Sequence, residues 1–151
     1  MGGKDVSSDF IFFGNRVKEF KLETRNIENK KQRTTLSYDF DYNVNDVQRS
    51  EDKILGIIEF IVKARVKIKR RILFKVELVM EGAFGCESKK LSEEQFLEML
   101  EVNGLITLSQ ISRAYIISVT SQSGINPPLK MPMINIMKLR ETKRDGDLER
   151  G

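Results

Sequence analysis

The 151-residue sequence contains no histidine and only one cysteine, Cys86. Without histidine the chain lacks the commonest general base and the commonest transition-metal ligand. Ser-His-Asp and Cys-His catalytic arrangements and Cys/His zinc sites are therefore excluded within it. A single cysteine cannot form an intrachain disulfide, which favours a reducing compartment and predicts a cytoplasmic location. We interpret Cys86 as a buried or incidental thiol rather than a nucleophile.

Nucleotide-binding loops and membrane segments are also missing from the sequence. Neither a GxGxxG nor a GxxxxGK[ST] pattern occurs. No apolar run approaches the roughly 18 residues needed to cross a bilayer, and the first five residues lack the apolar centre of a secretory signal. Carboxylates mostly alternate with basic residues, and no pair of them stands out. We therefore predict no enzyme, no cofactor, no metal site and no direct insertion into a membrane.

The composition is that of a globular protein. Apolar residues make up 40% of the chain, charged residues make up 32%, and the net charge is +4. The length suits one domain with a hydrophobic core of its own. We predict a single domain over residues 1–151, with its core at about 9–140 and a charged C-terminal tail at 141–151.

The strongest pattern in the sequence is a two-residue alternation in the middle of the chain. Apolar side chains occupy every second position over 58–68 and again over 72–80, and most positions between them are charged. Such alternation predicts strands with one buried face. Two such runs joined by a short charged turn predict an antiparallel hairpin, with strands at 54–68 and 72–83. We expect the glycines at 82–85 to end the sheet.

Two further strands are predicted nearer the N-terminus, at 9–25 and 34–44. A polar turn is expected at 26–32 and a charged connection at 47–53. Gly14-Asn15 interrupts the first strand, and a glycine inside a strand often marks a bulge. The second strand alternates strictly and carries an apolar stripe. That stripe consists of Leu36, Tyr38, Phe40, Tyr42 and Val44.

The exposed and apolar stretches of these strands leave alternatives open. The run at 10–13 is apolar on both faces, which fits core plus subunit contact or a binding surface. The aromatic stripe of the second strand fits a core or a groove for apolar peptide. A basic stripe on the wet face of the hairpin fits a solvated face, with nucleic-acid contact as the alternative, although no aromatic residue is interleaved with it to stack on bases. This stripe consists of Lys63, Arg65, Lys67 and Lys69.

Helical spacing begins after the sheet. Ser92 with Gln95 three residues later is a capping-box signature, and it opens a short helix that we expect Asn103-Gly104 to end. A second helix is predicted at 105–121. Its apolar face holds Leu108, Ile111, Tyr115 and Val119, and its polar face holds Ser109, Ser112, Arg113 and Thr120. Strands followed by helices predict an α+β fold, a four-stranded antiparallel sheet with helices packed on one face.

The order of several motifs resembles the SecB family of protein-export chaperones. Residues 127–135 read Pro-Pro-Leu-Lys-Met-Pro-Met-Ile-Asn, which is similar to the family's proline-rich loop of the form PPLxLPxIN. Further matches are Arg113, Ile116 and Ser118 in the second helix, Gly124 before the loop, and Glu77 with Gly82-Ala83-Phe84, which is similar to the family's ExxxxGxF. The resemblance spans about residues 10–135.

The resemblance implies a homotetramer, a dimer of dimers without catalytic activity, that holds unfolded preproteins in long apolar grooves and passes them to the SecA motor. The candidate client-binding residues are Phe10, Phe12, Phe13, Tyr38, Phe40, Tyr42, Phe84 and Met131. The family contacts SecA through acidic residues on the outer sheet face. The candidates for that contact here are Glu77 and Glu81.

Two features depart from the family pattern. Export chaperones of this family are acidic, whereas this chain is at +4, and the end of the chain at 136–150 is short and charged where the family often has an aromatic-rich helix. The leading hypothesis is a holdase for Sec-dependent export. The alternative is a SecB-like chaperone dedicated to an antitoxin, which it guards from aggregation and degradation. A further alternative is a nucleic-acid-binding module that uses the basic face, although no nucleic acid is expected as a partner.

Overall fold

The computed structural model describes residues 8–25, 34–125 and 127–150, with side chains described up to Asp147. The polar turn predicted at 26–32 lies outside these residues. Within them, four strands come first and helices follow. The elements are β1 (Ile11–Thr24), β2 (Thr34–Arg49), β3 (Lys53–Ile68), β4 (Arg71–Glu87), α1 (Glu93–Met99), a π-helical segment (Leu100–Gly104), α2 (Leu105–Gln122) and α3 (Ile136–Arg150).

The strands form one antiparallel sheet in the order β1-β4-β3-β2. The central pair is the predicted hairpin, in which Ile68 pairs with Arg71 across a turn made by Lys69 and Arg70. Lys69 has a φ of 55°, the left-handed backbone that a two-residue hairpin turn needs at its first position. The two strands predicted nearer the N-terminus are the edges of the sheet. The predicted α+β class and the four-stranded antiparallel sheet are confirmed.

Two bulges shape β1. Its register with β4 shifts between Phe12 and Gly14 and again between Val17 and Glu19. Gly14 has a φ of 146°, a conformation that side chains with a Cβ rarely adopt, so the bulge predicted at this glycine is present. Each bulge adds one residue to β1, and these extra residues, Phe13 and Lys18, project from the face of the sheet that faces away from the helices.

The core lies between the sheet and the helices. The even-numbered side chains of β3 and β4 point into it, as the two-residue alternation predicts. Fully buried side chains of this size each contribute about 1.5–3 kcal/mol to folding. Those with no exposed surface are Ile54, Ile58, Phe60, Val62, Val76 and Leu78 from the sheet, and Phe96, Leu100, Leu105, Leu108 and Ile116 from the helical segments.

The sheet extends further than predicted at two places. β4 continues to Glu87, so the glycines at 82–85 do not end it. A Cβ at Gly82 would lie 2.8 Å from Leu108 Cδ2, which shows that glycine makes room for a helix at this point instead of breaking the strand. β2 continues to Arg49, so part of the connection predicted at 47–53 is strand. A register shift between Val44 and Asp46 lets β2 go on pairing with β3.

The helices also differ from the prediction. The capping box is present, with Gln95 N donating to Ser92 Oγ at 3.1 Å and Ser92 N donating to Gln95 Oε1 at 2.9 Å. Asn103-Gly104 does not end the helix, because the π-helical segment joins α1 directly to α2. In α2, Ser112 and Thr120 are fully buried, so their assignment to a polar face was wrong. The buried stripe of α2 consists of Leu105, Leu108, Ser112, Ile116 and Thr120.

The segment predicted as a charged tail at 141–151 belongs to α3 as far as Arg150. Arg140 holds this helix to α1 and the π-helical segment. Its guanidinium is nearly buried and lies 2.7 Å from Glu98 Oε2 and 3.2 Å from Glu101 Oε2. Ile136 and Leu139 also pack against the core, but most of the other residues of α3 are charged, so the local sequence carries little of the apolar periodicity that would have predicted this helix.

Gly56 provides a test of the close contact between the sheet and the helices. A Cβ at this position would lie 2.9 Å from both Leu100 Cδ2 and Phe96 Cε1. We expect Gly56→Ala to lower the free energy of unfolding by about 1–3 kcal/mol, because overpacking displaces core side chains. Urea denaturation measures this change.

The control for that experiment is Gly146→Ala in α3. Nothing lies within 4 Å of a Cβ at Gly146, so alanine there should leave stability unchanged or raise it by up to about 1 kcal/mol through its higher helix propensity. An unchanged unfolding midpoint for Gly56→Ala would contradict the close packing at this site.

Candidate functional site

The structure separates the eight candidate client-binding residues into two clusters and one isolated side chain. The first, which we call the N-terminal cluster, lies where β1 meets β4 on the helix-facing side and contains Phe10, Phe12 and Phe84. The second, the edge cluster, lies along β2 and contains Tyr38, Phe40, Tyr42 and Met131. Phe13 belongs to neither, because it projects from the outer face over Gly85.

The N-terminal cluster is a stack of aromatic rings with a buried base and an exposed top. Phe10 stacks on Phe84 with ring centroids 5.1 Å apart and lies 5.6 Å from Phe96. Phe12 also lies 5.1 Å from Phe84. Phe84 is 1% exposed, whereas Phe12 is 41% exposed. An apolar ligand can therefore reach Phe12 and the edge of Phe10 directly, while Phe84 supports both from below.

The edge cluster is a row of stacked rings on the inner side of an edge strand. Tyr38 and Phe40 stack at 5.6 Å, and Phe40 stacks on Phe60 of β3 at 6.0 Å. Towards the start of β2 the row opens to solvent at Leu36, which is 46% exposed. Towards its other end it is closed, because Tyr42 is buried. The result is an apolar strip that passes from exposed to covered along one strand.

The proline-rich segment at 127–135 covers this strip. The hydroxyl of Tyr38 donates to the carbonyl oxygen of Lys130 at 2.7 Å, and burial raises the pKa of Tyr38 to about 12, so this donor stays protonated at neutral pH. The N–H of Leu129 donates to Thr120 Oγ1 at 3.0 Å. Leu129 and Met131 are buried in the core. Two hydroxyls, one on β2 and one on α2, thus fix the segment in place.

Helix α3 closes the buried end of the strip. Lys143 Nζ donates to Asp41 Oδ1 at 3.1 Å and to Asn43 Oδ1 at 3.2 Å, and it lies 5.9 Å from the centroid of the Tyr42 ring. A cleft of about 500 Å³ lies between α3 and the β2 edge. Acidic and basic side chains line it together with the apolar side chains of Phe40, Ile61 and Leu139, so it is mixed in character. Its lining includes Asp39, Asp41, Lys63, Arg65, Lys143 and Asp147.

The two acidic candidates for partner docking lie on the outer face among cations. Arg16 Nε donates to Glu81 Oε1 at 2.7 Å. Glu77 pairs with Lys63 on one side and Lys21 on the other in the register of the sheet. The same register places Lys63 between Glu77 and Asp39 of β2. Positive and negative side chains therefore alternate across the strands in the order Lys21, Glu77, Lys63 and Asp39. Neither an acidic nor a basic surface forms at the centre of this row.

Glu59 is a buried carboxylate on the outer face that the sequence analysis did not single out. It is 7% exposed, and it accepts hydrogen bonds from Lys18 Nζ at 3.0 Å and Asn43 Nδ2 at 3.3 Å. Burial opposes its ionisation, but the hydrogen bonds from Lys18, Asn45 and Asn43 outweigh burial, so the pKa of Glu59 is lowered. Its neighbours two positions away on the same face of β3, Ile57 and Ile61, are apolar, and that was the signal that could have identified it.

No protein-family model matches this sequence, and no curated protein matches it. Solved structures do show a likeness of fold. A SecB-like chaperone of Mycobacterium tuberculosis, solved in complex with a ChAD peptide from the HigA1 antitoxin, superposes with a TM-score of 0.62 at 14% sequence identity. The match covers 83% of this chain and 91% of that one. This chain has a SecB-like fold. The fold implied by the sequence resemblance is confirmed.

A second structural match is a Streptococcus agalactiae protein of unknown function. It superposes with a TM-score of 0.47 at 16% identity, over 82% of this chain and 97% of that chain.

Among residues 8–25, 34–125 and 127–150, no helix is long and apolar enough to cross a membrane. The same part of the chain has no group of three or more Cys, Asp or Glu side chains placed to hold a metal ion.

Thr120 provides a test of how the covering segment is held. In Thr120→Val the N–H of Leu129 loses its acceptor while the side-chain shape is kept, and a buried donor without a partner costs about 1–3 kcal/mol. We expect the free energy of unfolding to fall by that amount in chemical denaturation.

Ser112→Ala is the matched control, because it removes another buried hydroxyl of α2. Ser112 Oγ makes no hydrogen bond with the described part of the chain, so its removal should be neutral or should stabilise the fold by about 1 kcal/mol. Equal losses for the two variants would mean that Thr120 does not anchor the segment.

Glu59 predicts a specific dependence of stability on pH. A carboxylate whose pKa is lowered on folding stabilises the native state above its unfolded pKa, near 4.5, and that contribution is lost as the pH falls through the lower folded value. Glu59→Gln should lower the free energy of unfolding by about 1–2 kcal/mol at neutral pH. The difference from wild type should shrink as the pH approaches about 3.

Urea titrations at several pH values measure this effect. Glu51→Gln, in the exposed β2–β3 turn, is the control and should change stability little at neutral pH. A difference between Glu59→Gln and wild type that stayed constant down to the acidic end would exclude a stabilising role for the ionised carboxylate.

Proposed function

We propose that this chain is a non-catalytic chaperone that binds unfolded polypeptide through apolar surface, and that its client is an antitoxin. The observation that carries the proposal is the combination of exposed aromatic clusters with a SecB-like fold. The Mycobacterium tuberculosis SecB-like chaperone of similar fold was solved with an antitoxin peptide. That complex supports the antitoxin-dedicated alternative more than general Sec-dependent export.

The exposed apolar side chains supply the binding energy in this proposal. Contiguous apolar surface is uncommon on proteins that act alone, and burial of it releases about 25 cal/mol per Å². The effect is non-directional, and methionine adapts its shape to a partner, so varied segments can bind. Besides Phe12 and Leu36, Met133 is 89% exposed within the segment that covers the edge cluster.

Differences in burial support different roles for the candidate residues within this proposal. Phe10, Phe12, Tyr38 and Phe40 contact a client directly. Phe12 is 41% exposed, and Phe10, Tyr38 and Phe40 are partly exposed. Tyr42, Phe84 and Met131 form the base beneath them and meet a client only when the segment at 127–135 or α3 moves aside. Phe13, on the outer face, contacts a client only if the client reaches around β1.

The outer face favours the dedicated chaperone over the SecA-dependent one. Glu77 and Glu81, the proposed docking residues for SecA, have Lys21, Lys63 and Arg16 as neighbours. A docking surface that relies on acidic charge is weakened by these cations. Assembly into a dimer of dimers, a cytoplasmic location and the absence of enzyme activity remain predictions within this proposal. Nucleic-acid binding is the less favoured alternative.

Phe12 and Phe13 form a matched pair that tests the proposal. Both are well exposed, they are adjacent in sequence, and they project from opposite faces of the sheet. Phe12→Ala should weaken binding of an uncharged, apolar, extended peptide about fivefold or more, because it removes an aromatic contact. Phe13→Ala should change binding less than twofold, within the range of peripheral contacts.

Fluorescence anisotropy in high salt measures the affinity, and suppression of aggregation of a denatured client measures holdase activity. Urea unfolding of both variants checks that they remain folded. Binding to a candidate antitoxin encoded beside this chain, without binding to several unrelated unfolded proteins, would select the dedicated chaperone. No binding to any of these polypeptides would refute the proposal.

A further inference from the structure

One end of the sheet concentrates positive charge. Lys69 and Arg70 form the β3–β4 turn and Arg71 begins β4. The N–H of Arg25 donates to the carbonyl oxygen of Leu73 at 2.8 Å, which places Arg25 beside the same end. We call this set the basic end, and it consists of Arg25, Arg65, Lys67, Lys69, Arg70, Arg71 and Lys75.

Few anions offset these cations. Lys75 Nζ lies 3.5 Å from Glu23 Oε2, and the other six side chains form no ion pair within the described ranges. Five of the seven residues are exposed, and Lys67 and Lys75 are partly so. The whole chain carries a net charge of +4, which is less than the charge of the basic end alone. The positive charge is local because the seven cations lie at the β3–β4 turn and on the strand ends beside it.

The basic end adjoins the exposed start of the edge cluster. In the register of the sheet, Lys67 pairs with Thr35 and Arg65 pairs with Ser37. Thr35 and Ser37 flank Leu36, the exposed apolar residue at which the aromatic row of β2 opens to solvent, but they point to the outer face, as Arg65 and Lys67 do. A polypeptide that leaves the edge cluster at Leu36 therefore reaches these two cations by passing around the edge strand β2, one strand away from β3.

We propose that the basic end binds an acidic stretch of extended polypeptide that flanks the apolar segment held by the edge cluster, an inference that rests on the proposed function. Residues two apart in a strand lie about 6.6–6.8 Å from each other, so Arg65 and Lys67 match the spacing of alternate carboxylates in an extended chain. Arginine also binds carboxylates in a bidentate manner. The basic end includes no aromatic residue on which bases would stack, which favours an acidic polypeptide over single-stranded nucleic acid.

Three peptides with one shared apolar centre test this proposal. Their flanks carry three acidic residues, three glutamines or three lysines, and anisotropy is measured at low and high salt. The acidic peptide should bind the wild-type chain about tenfold more tightly than the glutamine peptide at low salt, as expected for several exposed charge pairs acting together. This difference in affinity should disappear at about 1 M salt, where the Debye length is about 3 Å. The lysine peptide should bind most weakly.

Two triple variants with equal changes in charge locate the effect. Arg65→Glu, Arg70→Glu and Arg71→Glu together should abolish the preference for acidic flanks and leave binding of the glutamine peptide unchanged. Lys53→Glu, Lys89→Glu and Lys90→Glu together should preserve the preference, because Lys53 pairs with Glu87 at the opposite end of the sheet and all three lysines are exposed. If the first variant unfolds, Arg65→Gln, Arg70→Gln and Arg71→Gln replace it, with loss of the preference expected again.

The outcomes separate this proposal from the proposed function. Equal affinity for acidic and glutamine peptides overturns the proposal and leaves the chaperone function in place. No binding of any peptide overturns both. Equal loss of the preference in both triple variants overturns it, because overall charge would then be the cause. Displacement of the acidic peptide by duplex RNA at much lower concentration than by unlabelled peptide also overturns it, and would make nucleic acid the ligand.

Discussion

The packing of one continuous helical unit against the glycine-containing centre of the sheet is the constraint on which the rest of the structure depends. Gly56 in β3 and Gly82 in β4 let Phe96, Leu100 and Leu108 approach the backbone closely. The π-helical segment keeps the chain helical where α1 turns into α2, so both helices reach the same surface. Larger residues at these glycines would lift the helices from the sheet and open the core between them.

The candidate binding surfaces follow from this packing. Because α2 is fixed on the sheet, Thr120 can hold the N–H of Leu129 and so position the segment that covers the edge cluster. Because α1 and the π-helical segment are fixed, Glu98 and Glu101 can receive Arg140 of α3. The apolar row of β2 is thus covered by two elements that are each attached through a few polar contacts. Polar attachments of this kind determine which aromatic rings face solvent and which lie beneath them.

Alternation in the sequence predicted the sheet well, since each strand buries one face and the pattern is local. Failures occurred where the cause is not local. Gly82 and Gly104 were interpreted as breakers, whereas Gly82 makes room for Leu108 and Gly104 lies inside a continuous helical stretch. Ser112 and Thr120 were assigned to a polar face, but their place in the buried stripe is set by what α2 meets. Helix α3 depends on ion pairs with residues about 40 positions away, which no periodicity reveals. The aromatic residues of the candidate site were identifiable from sequence, but their division into exposed and buried groups required the fold.

The two bulges of β1 have a consequence for the chaperone function proposed above. An open, regular edge strand is a template on which other chains add as further strands, and edge-to-edge growth of this kind leads to fibrils. The shifts at Phe12–Gly14 and Val17–Glu19 interrupt the row of backbone groups that β1 offers to solvent. The molecule can therefore expose the aromatic side chains of Phe10 and Phe12 without an uninterrupted backbone edge beside them. In the proposed function, an apolar client segment would then bind to these side chains without adding to the sheet as a further strand.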